Sequence, residues 1–476
     1  MAGVLSCRAI LRPMTALARL QAELGEIVSV DPADLAASRV DKSGWVAPGM
    51  PLAVVRAASV ADVQATMRIA TEYHVPVVTR GAGTGLAGGA CGTDGSIVLT
   101  VVRMNRILEI RPADELAVVE PGLINQDLNN ALAAHGLWFA PDPASKAIST
   151  VGGNIATNAG GLLCAKYGVT REAVLGLAVV LADGTLLRTG HRTVKGVTGY
   201  DLTALLTGSE GTLGVIVEAT VRVRAVTPGG VVTIGAVFPD VTAAAAASAA
   251  ITAARVRPAV MELLDEVALV AIADYLGPDG SAGLPLRGAF LLVQTDGPAA
   301  LAEAEAALEV LRAAGGEARL STDAESGERL LAIRRAFHPA LAARGEVLIE
   351  DVSVPRSRMA EMFQAIADIS ARTGVPIPTV AHAGDGNLHP NFVIPADPNR
   401  AVDTPIVPDH IWAAADELFR AALALGGTLT GEHGVGVLKR RWLAEELGDT
   451  SLDLQRRIKA VFDPLGILNP GIMFPA

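Results

Sequence analysis

The run Arg80-Gly-Ala-Gly-Thr-Gly-Leu-Ala-Gly-Gly89 limits what this chain can fold into more than any other feature. It contains Gly83-x-Gly85-x-x-Gly88, the spacing of a dinucleotide fingerprint. That fingerprint works only when a helix opens on the loop and lends its N-terminal dipole. Here the loop continues through Ala90-Cys-Gly-Thr-Asp-Gly95 into the β-branched run Ser96-Ile-Val-Leu-Thr-Val-Val102, so no Rossmann helix can start there. Two readings remain. The exposed N–H groups can form a nest for a pyrophosphate, or the segment is an ordinary flexible glycine loop.

A second stretch, Pro141-Asp-Pro-Ala-Ser-Lys-Ala-Ile-Ser-Thr-Val-Gly-Gly-Asn-Ile-Ala-Thr-Asn-Ala-Gly-Gly161, favours the first reading. It reads as a long loop of small polar residues with only Asp142 and Lys146 charged, and long loops inside compact domains are usually functional. Ser149, Thr150, Asn154, Thr157 and Asn158 offer groups suited to a flavin edge or a phosphate. Lys166-Tyr-Gly168 and Gly208-Ser-Glu-Gly-Thr-Leu-Gly214 add tight backbone. Two glycine-rich loops in one domain point to a large phosphate-bearing cofactor.

Around these loops, short strand-like runs alternate with helices. Strands are expected at 51–56, 76–79, 96–102 and 116–120. Ser59 should cap a helix to Tyr73, with Val60, Val63, Met67 and Ala70 on one face, and Asn125 should cap another to about His135. Thr227-Pro-Gly-Gly230 is a turn cluster and the preferred domain boundary. Beyond it, strands at 231–238, 259–264 and 288–295 alternate with helices at 242–255 and 298–314, which suggests an α+β domain with helices on one sheet face. The 476 residues exceed what one core usually holds. The excess of acid, 39 − 50 = −11, argues against nucleic acid and against direct docking to anionic membranes.

Cys7, Cys91 and Cys164 match no disulfide or metal pattern, so reduced thiols in a cytoplasmic protein are expected. No stretch reaches the length of a membrane span. The start carries Arg8, Arg12 and Arg19 without an acid. It reads as an untidy N-terminus, with a transit peptide or a true start at Met14 as alternatives.

The C-terminal third carries the chemistry. Thr379-Val-Ala-His382-Ala-Gly-Asp-Gly-Asn-Leu-His389-Pro-Asn391 reads as strand, turn, strand, with both histidines able to converge. Thr428-Leu-Thr-Gly-Glu432-His433-Gly-Val-Gly436 follows an amphipathic helix from Asp409 to Leu425. Of 8 histidines in the chain, three fall in these motifs. Two histidines and a carboxylate make a metal site with positions left for a bidentate substrate; without the carboxylate motif, two surface or core histidines would be the preferred reading of the pair. A 2-hydroxy acid offers such a chelate, and a neighbouring histidine can take its hydroxyl proton.

These motifs, with Pro121-Gly122, Lys166-Tyr-Gly-Val-Thr-Arg171 and Gly208–Val215, resemble the FAD-binding domain of the vanillyl-alcohol-oxidase family. More narrowly they resemble its FAD-linked 2-hydroxy-acid branch: glycolate oxidase flavin subunit, D-lactate dehydrogenase and D-2-hydroxyglutarate dehydrogenase. The resemblance covers roughly residues 40 to 475 and implies an α+β architecture. An N-terminal segment (1–45) would precede the FAD-binding domain (46–226) and an α+β substrate, or cap, domain (227–475), whose C-terminal segment returns to the flavin. FAD would be held by Arg80, Gly81, Ala82, Gly83, Thr84, Gly85, Leu86, Gly88, Gly89, Pro121, Gly122, Pro141, Asp142, Ser149, Thr150, Gly152, Gly153, Asn154, Thr157, Asn158, Gly160, Tyr167, Gly168, Gly211, Gly214, Val215, Ile216 and Asn469. Non-covalent FAD is expected, because relatives that attach it often use a histidine in the first glycine loop and this loop has none. Asn469 would contact the isoalloxazine or the FAD-binding domain, or only seal a turn.

The resemblance makes His382, His389 and Glu432 ligands of a divalent metal, zinc first, with manganese or iron suited to the same set. It makes His433 the base, places Asn391 against substrate and gives Arg334 the substrate carboxylate, where its planar fork suits better than lysine. Where the 2-hydroxyglutarate type has a threonine and a lysine, this chain has His338 and Ile349, which favours a small monocarboxylate such as D-lactate or glycolate. D-2-hydroxyglutarate oxidation, a flavin oxidase of sugars, lactones or phenols, and a flavin subunit of a multi-subunit glycolate oxidase are the alternatives. A quinone, a cytochrome, oxygen or an electron-transfer flavoprotein would take the electrons. The expected location is cytoplasmic, with peripheral contact to the inner membrane and a homodimer left open.

Overall fold

The computed structural model describes residues 16–280, 287–321, 323–394 and 407–475. Of the features noted near the start, Cys7, Arg8, Arg12 and Met14 lie outside the described residues, while Arg19 pairs with Glu23 at 3.1 Å. The chain forms two units. The first comprises residues 1–160, 169–226 and 432–476, and the second 161–168 and 227–431. A single cut after residue 226 therefore does not separate them. The segment 161–168 counts with the second unit, and the C-terminal 45 or so residues count with the first.

Besides the two-stranded pair Leu137–Trp138 and Arg224–Ala225, the first unit holds two main sheets. In the smaller, strands Ala53–Arg56 and Val77–Arg80 flank Ile97–Thr100 in parallel, and Val28–Ser29 adds an antiparallel edge. The helix Val60–Tyr73 covers it, closed at its start by a capping box in which Ser59 accepts from the Asp62 N–H. The five-stranded sheet is antiparallel, in the order Ile107–Arg111, Leu116–Val119, Val215–Arg222, Val174–Val180, Leu186–Gly190. The C-terminal segment docks beside the strand that feeds the glycine loop. The Val77 N–H donates to Ile467 O at 2.8 Å, and the Asn469 N–H donates to Val77 O at 2.8 Å.

Two expectations here need correction. Asn125 does not cap its helix: it is the first helical residue, fully buried, and its side-chain amide donates to Pro141 O at 3.0 Å. The stretch 141–161 is not wholly loop either. Val151–Thr157 is a helix whose N-cap, Thr150, accepts from the Gly153 N–H at 3.2 Å.

The second unit is built on an antiparallel sheet of eight strands. Its main path runs Glu317–Ser321, Gly230–Phe238, Ala289–Gly297, Val260–Leu264, Thr379–His382, Asn387–Ile394, Glu346–Ile349, and Val352–Ser353 also pairs with Asn387–Ile394. Helices cover both faces rather than one. Alternate residues of Gly230–Phe238 meet different helices: a Cβ on Gly235 would touch Leu330, while the Phe238 ring lies against Gly316 at the end of Ala300–Ala313. The reason lies in the central strands, whose residues Val260–Leu264 and Ala289–Val293 are buried without alternation. A strand apolar on both faces needs cover on both.

Candidate active site

Glycines set the geometry of the first unit's loops. The strand Val77–Arg80 ends in irregular backbone that carries Ala82, Thr84, Gly85 and Leu86. Arg80 laces this loop from inside, donating to Ala90 O at 2.8 Å and Val40 O at 2.9 Å. Gly83 has φ +71°, and a Cβ there would fall 2.2 Å from the Arg80 guanidinium. A Cβ on Gly81 would fall 2.4 Å from Thr150 Oγ1. On Gly152 it would fall 2.5 Å from Pro121 Cβ, and on Gly122 2.2 Å from Val101 O. Three separated motifs thus approach one another with no room for side chains between them.

Three polar atoms around these motifs are enclosed with no hydrogen-bond partner in the protein: Thr79 Oγ1, Ser149 Oγ and Asn154 Nδ2. Each such group costs about 1–3 kcal/mol if nothing satisfies it. A polar, phosphate-bearing ligand lying on the glycine loops would satisfy them, so these residues fit FAD.

Other expected cofactor residues have structural partners. Thr157 Oγ1 donates to Gly153 O, and Asn158, at φ +51°, accepts from the Arg171 N–H. Asp142 is buried 4.0 Å from Lys146. Gly214 precedes the strand Val215–Arg222, which starts with Val215 and Ile216. Gly211 and Asn469 approach one another: a Cβ on Gly211 would lie 3.5 Å from Asn469 Nδ2. That amide donates to Gly89 O at 2.9 Å and to Glu210 O at 2.7 Å, so Asn469 ties the glycine loop to the Gly208–Gly214 turn. Tyr167 and Gly168 belong to the second unit, where the Tyr167 hydroxyl donates to Asp296 at 2.6 Å beside Lys166.

Glu210 is absent from the expected set. Its carboxylate accepts the Val435 and Gly436 N–H groups, both at 2.8 Å, and burial raises its pKa to about 7 against those bonds. Its signal in the sequence was one acid between two glycines of an otherwise uncharged turn.

In the second unit, Thr379–His382 and Asn387–Ile394 pair antiparallel with His382 opposite Asn387 and Val380 opposite His389. Strand alternation then places His382, Asn387, His389 and Asn391 on one face. The two imidazoles stand edge to face with centroids 4.9 Å apart, and both are buried. Asn391 is fully buried; its amide donates to His389 O at 2.7 Å, and its Oδ1 has no protein partner.

Glu262 joins this group from the neighbouring strand, and sequence reasoning misses it. Wholly buried, it sits opposite His382 in the ladder. One carboxylate oxygen lies 2.6 Å from His382 Nδ1 and the other accepts from Arg334 Nε at 2.6 Å. Burial pushes its pKa up, but the charges of His382 and Arg334 outweigh that and hold it below the usual range. Arg334 lies on the helix Ala324–Arg335 and is itself buried, whereas its neighbour Arg335 is exposed and pairs with Glu328.

The chain leaves this unit through a fixed point. Asp351 accepts from Thr430 Oγ1 at 2.9 Å and from the Gly431 N–H at 2.6 Å. Gly431 abuts the hairpin so closely that a Cβ would fall 2.4 Å from Asn387 Nδ2. Glu432 and His433 follow as the first residues of the returning segment. His433 Nε2 lies 3.8 Å from Glu432 Oε1, and a Cβ on Gly160 would fall 2.3 Å from the Glu432 carboxylate.

Among the described residues no helix is long and apolar enough to cross a membrane. Among the described residues neither Cys91 nor Cys164 forms a disulfide, and burial pushes the Cys91 thiol far up.

Two domain families match the chain: FAD binding domain over residues 51–190, and FAD linked oxidases, C-terminal domain, over residues 227–473. Glycolate oxidase subunit GlcD of Bacillus subtilis (strain 168) is 42% identical over 431 residues, 89% of each chain. Its namesake from Escherichia coli (strain K12) is 35% identical over 89% of this chain and 84% of its own. D-lactate dehydrogenase of Archaeoglobus fulgidus is 35% identical over 94% of this chain and 98% of its own. Among solved structures, p-cresol methylhydroxylase with substrate bound superposes with a TM-score of 0.77 at 19% identity, covering 98% of this chain and 97% of its own. For 4-ethylphenol oxidase from Gulosibacter chungangensis the TM-score is 0.75 at 21% identity, with 98% of each chain covered. The structural likeness establishes a vanillyl-alcohol-oxidase-type fold, and with both halves matched and relatives alike over most of their length, the chain belongs to the FAD-linked oxidases and is an FAD-linked oxidoreductase.

Proposed function

We propose that this chain oxidises a small D-2-hydroxy acid, D-lactate or glycolate, to its 2-oxo acid. The observation that carries the reading is the buried connection His382–Glu262–Arg334, which joins a histidine of a metal-type pair to a cation suited to a carboxylate. The names of the relatives, glycolate oxidase subunit and D-lactate dehydrogenase, support the same substrate class. FAD, when bound, supplies the acceptor for the hydride of the α-carbon, and a divalent metal, zinc in the first instance, lowers the pKa of the substrate hydroxyl.

His382, His389 and Glu432 would hold the metal. Glu432 is one peptide bond from Gly431, which packs on the histidine hairpin. Arg334 grips the substrate carboxylate, and Asn391 Oδ1 lies on the same sheet face as the histidines, in need of a partner. His433 takes the hydroxyl proton as the α-carbon loses its hydride, so the two electrons leave with the hydride and the proton stays on the imidazole. Ile349, opposite Asn391 in the ladder, offers no charge for a second carboxylate. The electrons then pass to a quinone, a cytochrome or an electron-transfer flavoprotein, and the protein works in the cytoplasm. Because two relatives are named as subunits, the flavin subunit of a glycolate oxidase assembly is the second reading.

The test is anaerobic bleaching of the bound flavin by D-lactate, L-lactate, glycolate or D-2-hydroxyglutarate, each with and without EDTA. Rapid bleaching by D-lactate or glycolate that EDTA abolishes is the expected result. Bleaching by D-2-hydroxyglutarate alone would overturn the monocarboxylate pocket, and EDTA-resistant bleaching would overturn the metal's role.

A further inference from the structure

We propose that Glu262 is the positioning residue that couples the metal ligand to the substrate clamp. It would fix the Nδ1–H tautomer of His382 and orient the guanidinium of Arg334 with a single carboxylate.

The strand Val260–Leu264 is buried throughout, and Glu262 is its one polar residue. A carboxylate in the middle of a sheet is retained only where its oxygens are satisfied. Here each oxygen has its own partner: Oε1 the His382 Nδ1 and Oε2 the Arg334 Nε, both at 2.6 Å. An arginine nitrogen can only donate, so Oε2 is an acceptor, and an ionised carboxylate accepts at Oε1 as well. The proton between Glu262 and His382 therefore sits on Nδ1. That leaves the lone pair on Nε2, the nitrogen a metal would take, and a carboxylate behind a ligating histidine also raises its basicity. On the other side, a bond to Nε fixes the plane of the guanidinium and leaves both terminal nitrogens for a substrate carboxylate. Of these three residues, His382 is reached across the ladder and Arg334 from a helix 72 positions away. One deletion would thus disturb two functions at once.

The inference rests on the proposed reading of the site, so the experiment begins with metal binding by the unsubstituted, FAD-replete protein. Wild type is stripped, and zinc affinity is read against a competing chromophoric chelator. Failure of wild type to take up metal overturns the reading of the site itself, before any substitution is made. Next comes Glu262→Gln, close in volume but with one acceptor and one donor, so it can serve Arg334 and His382 together only by donating to Nδ1, which forces the imidazole proton onto Nε2. Expected are 10–100-fold weaker zinc binding and a KM for the 2-hydroxy acid raised about tenfold or more, with the flavin spectrum retained. Glu262→Asp keeps the charge on a shorter stem and should recover part of one effect only. Wild-type affinity and KM in Glu262→Gln would overturn the proposal.

Should both variants fail to fold, the tautomer decides. In metal-free wild type labelled with 15N-histidine, His382 should show a protonated Nδ1 and an unprotonated Nε2. The opposite tautomer overturns the proposal.

Discussion

At the scale of single residues, Glu210 carries a stability cost that pH should reveal. Its pKa rises from 4.5 to about 7 because burial disfavours the charge, although two backbone N–H groups and Lys439 favour it. Below pH 4.5 both folded and unfolded chains hold this proton. Between 4.5 and 7 only the folded chain does, so the unfolded state binds fewer protons and stability falls as pH rises. Above 7 both are ionised and the loss is complete, on the order of 3 kcal/mol. Glu210→Gln mimics the protonated form and should remove this slope. Measured across pH 5 to 8, the thermal midpoint of wild type should fall relative to the variant; parallel curves would sink the assignment. Glu210 and Glu262 also show what a sequence conceals at this scale. His382, His389, Asn391 and Arg334 stand out by residue type, and the structure gathers them on one sheet and the helix beside it. Glu262 does not, because its partners lie 120 and 72 positions away and only the ladder register brings them together.

At the scale of elements, the helix Val151–Thr157 holds two glycines in its first turns, where helix propensity would exclude them. Their presence is explained by close approach. A Cβ on Gly152 would meet Pro121 Cβ at 2.5 Å and the Pro121 carbonyl at 2.8 Å, and neither can move without shifting the Pro121-Gly122 turn. Gly152→Ala should therefore cost about 1–3 kcal/mol and reduce bound FAD, since the same turns align Ser149 and Asn154. Gly230→Ala, with open space around its Cβ, should leave both unchanged. The readouts are flavin absorbance per protein and thermal midpoint, and a Gly152→Ala protein that purifies with full FAD would contradict the argument. The same helix marks where periodicity stops being informative. Val60–Tyr73 and Asp409–Ala424 were legible because their apolar faces repeat at helical spacing and end in recognisable caps or glycines. Val151–Thr157 is only 7 residues and packs through missing side chains, so it has no apolar stripe to read. The histidine hairpin was legible because Gly384-Asp-Gly-Asn387 marks the turn between two strand runs.

At the scale of the molecule, the chain crosses between its units four times, after residues 160, 168, 226 and 431. The return of the C-terminus into the first unit is expected only through the family resemblance of the closing segment, because the pairing of such distant segments at Val77 is encoded in no apolar period or cap. That return is structural as well as topological. Ile467 and Leu468 lie in the same core as Val77, Ile97 and Val215, and Phe462 packs on the core of the five-stranded sheet. Lys459 donates to the Leu468 carbonyl at 2.9 Å, and the Leu468 N–H donates to Asp463 at 2.7 Å, which fixes the strand-like turn before it reaches Val77. Removing the segment would bare apolar surface, break the two backbone bonds at Val77 and leave Glu210 without the Val435 and Gly436 N–H groups. Each charge-assisted bond of that kind contributes about 1.5–3 kcal/mol, against a total stability on the order of 10 kcal/mol. A fragment of residues 16–226 should accordingly bind no FAD and aggregate. The same fragment joined to residues 432–475 through a flexible Gly/Ser linker, with 227–431 omitted, should fold and show bound-flavin absorbance. Flavin binding by the shorter fragment, or its absence from both, would show that the first unit's cofactor site does not depend on the returning segment in the way its hydrogen bonds indicate.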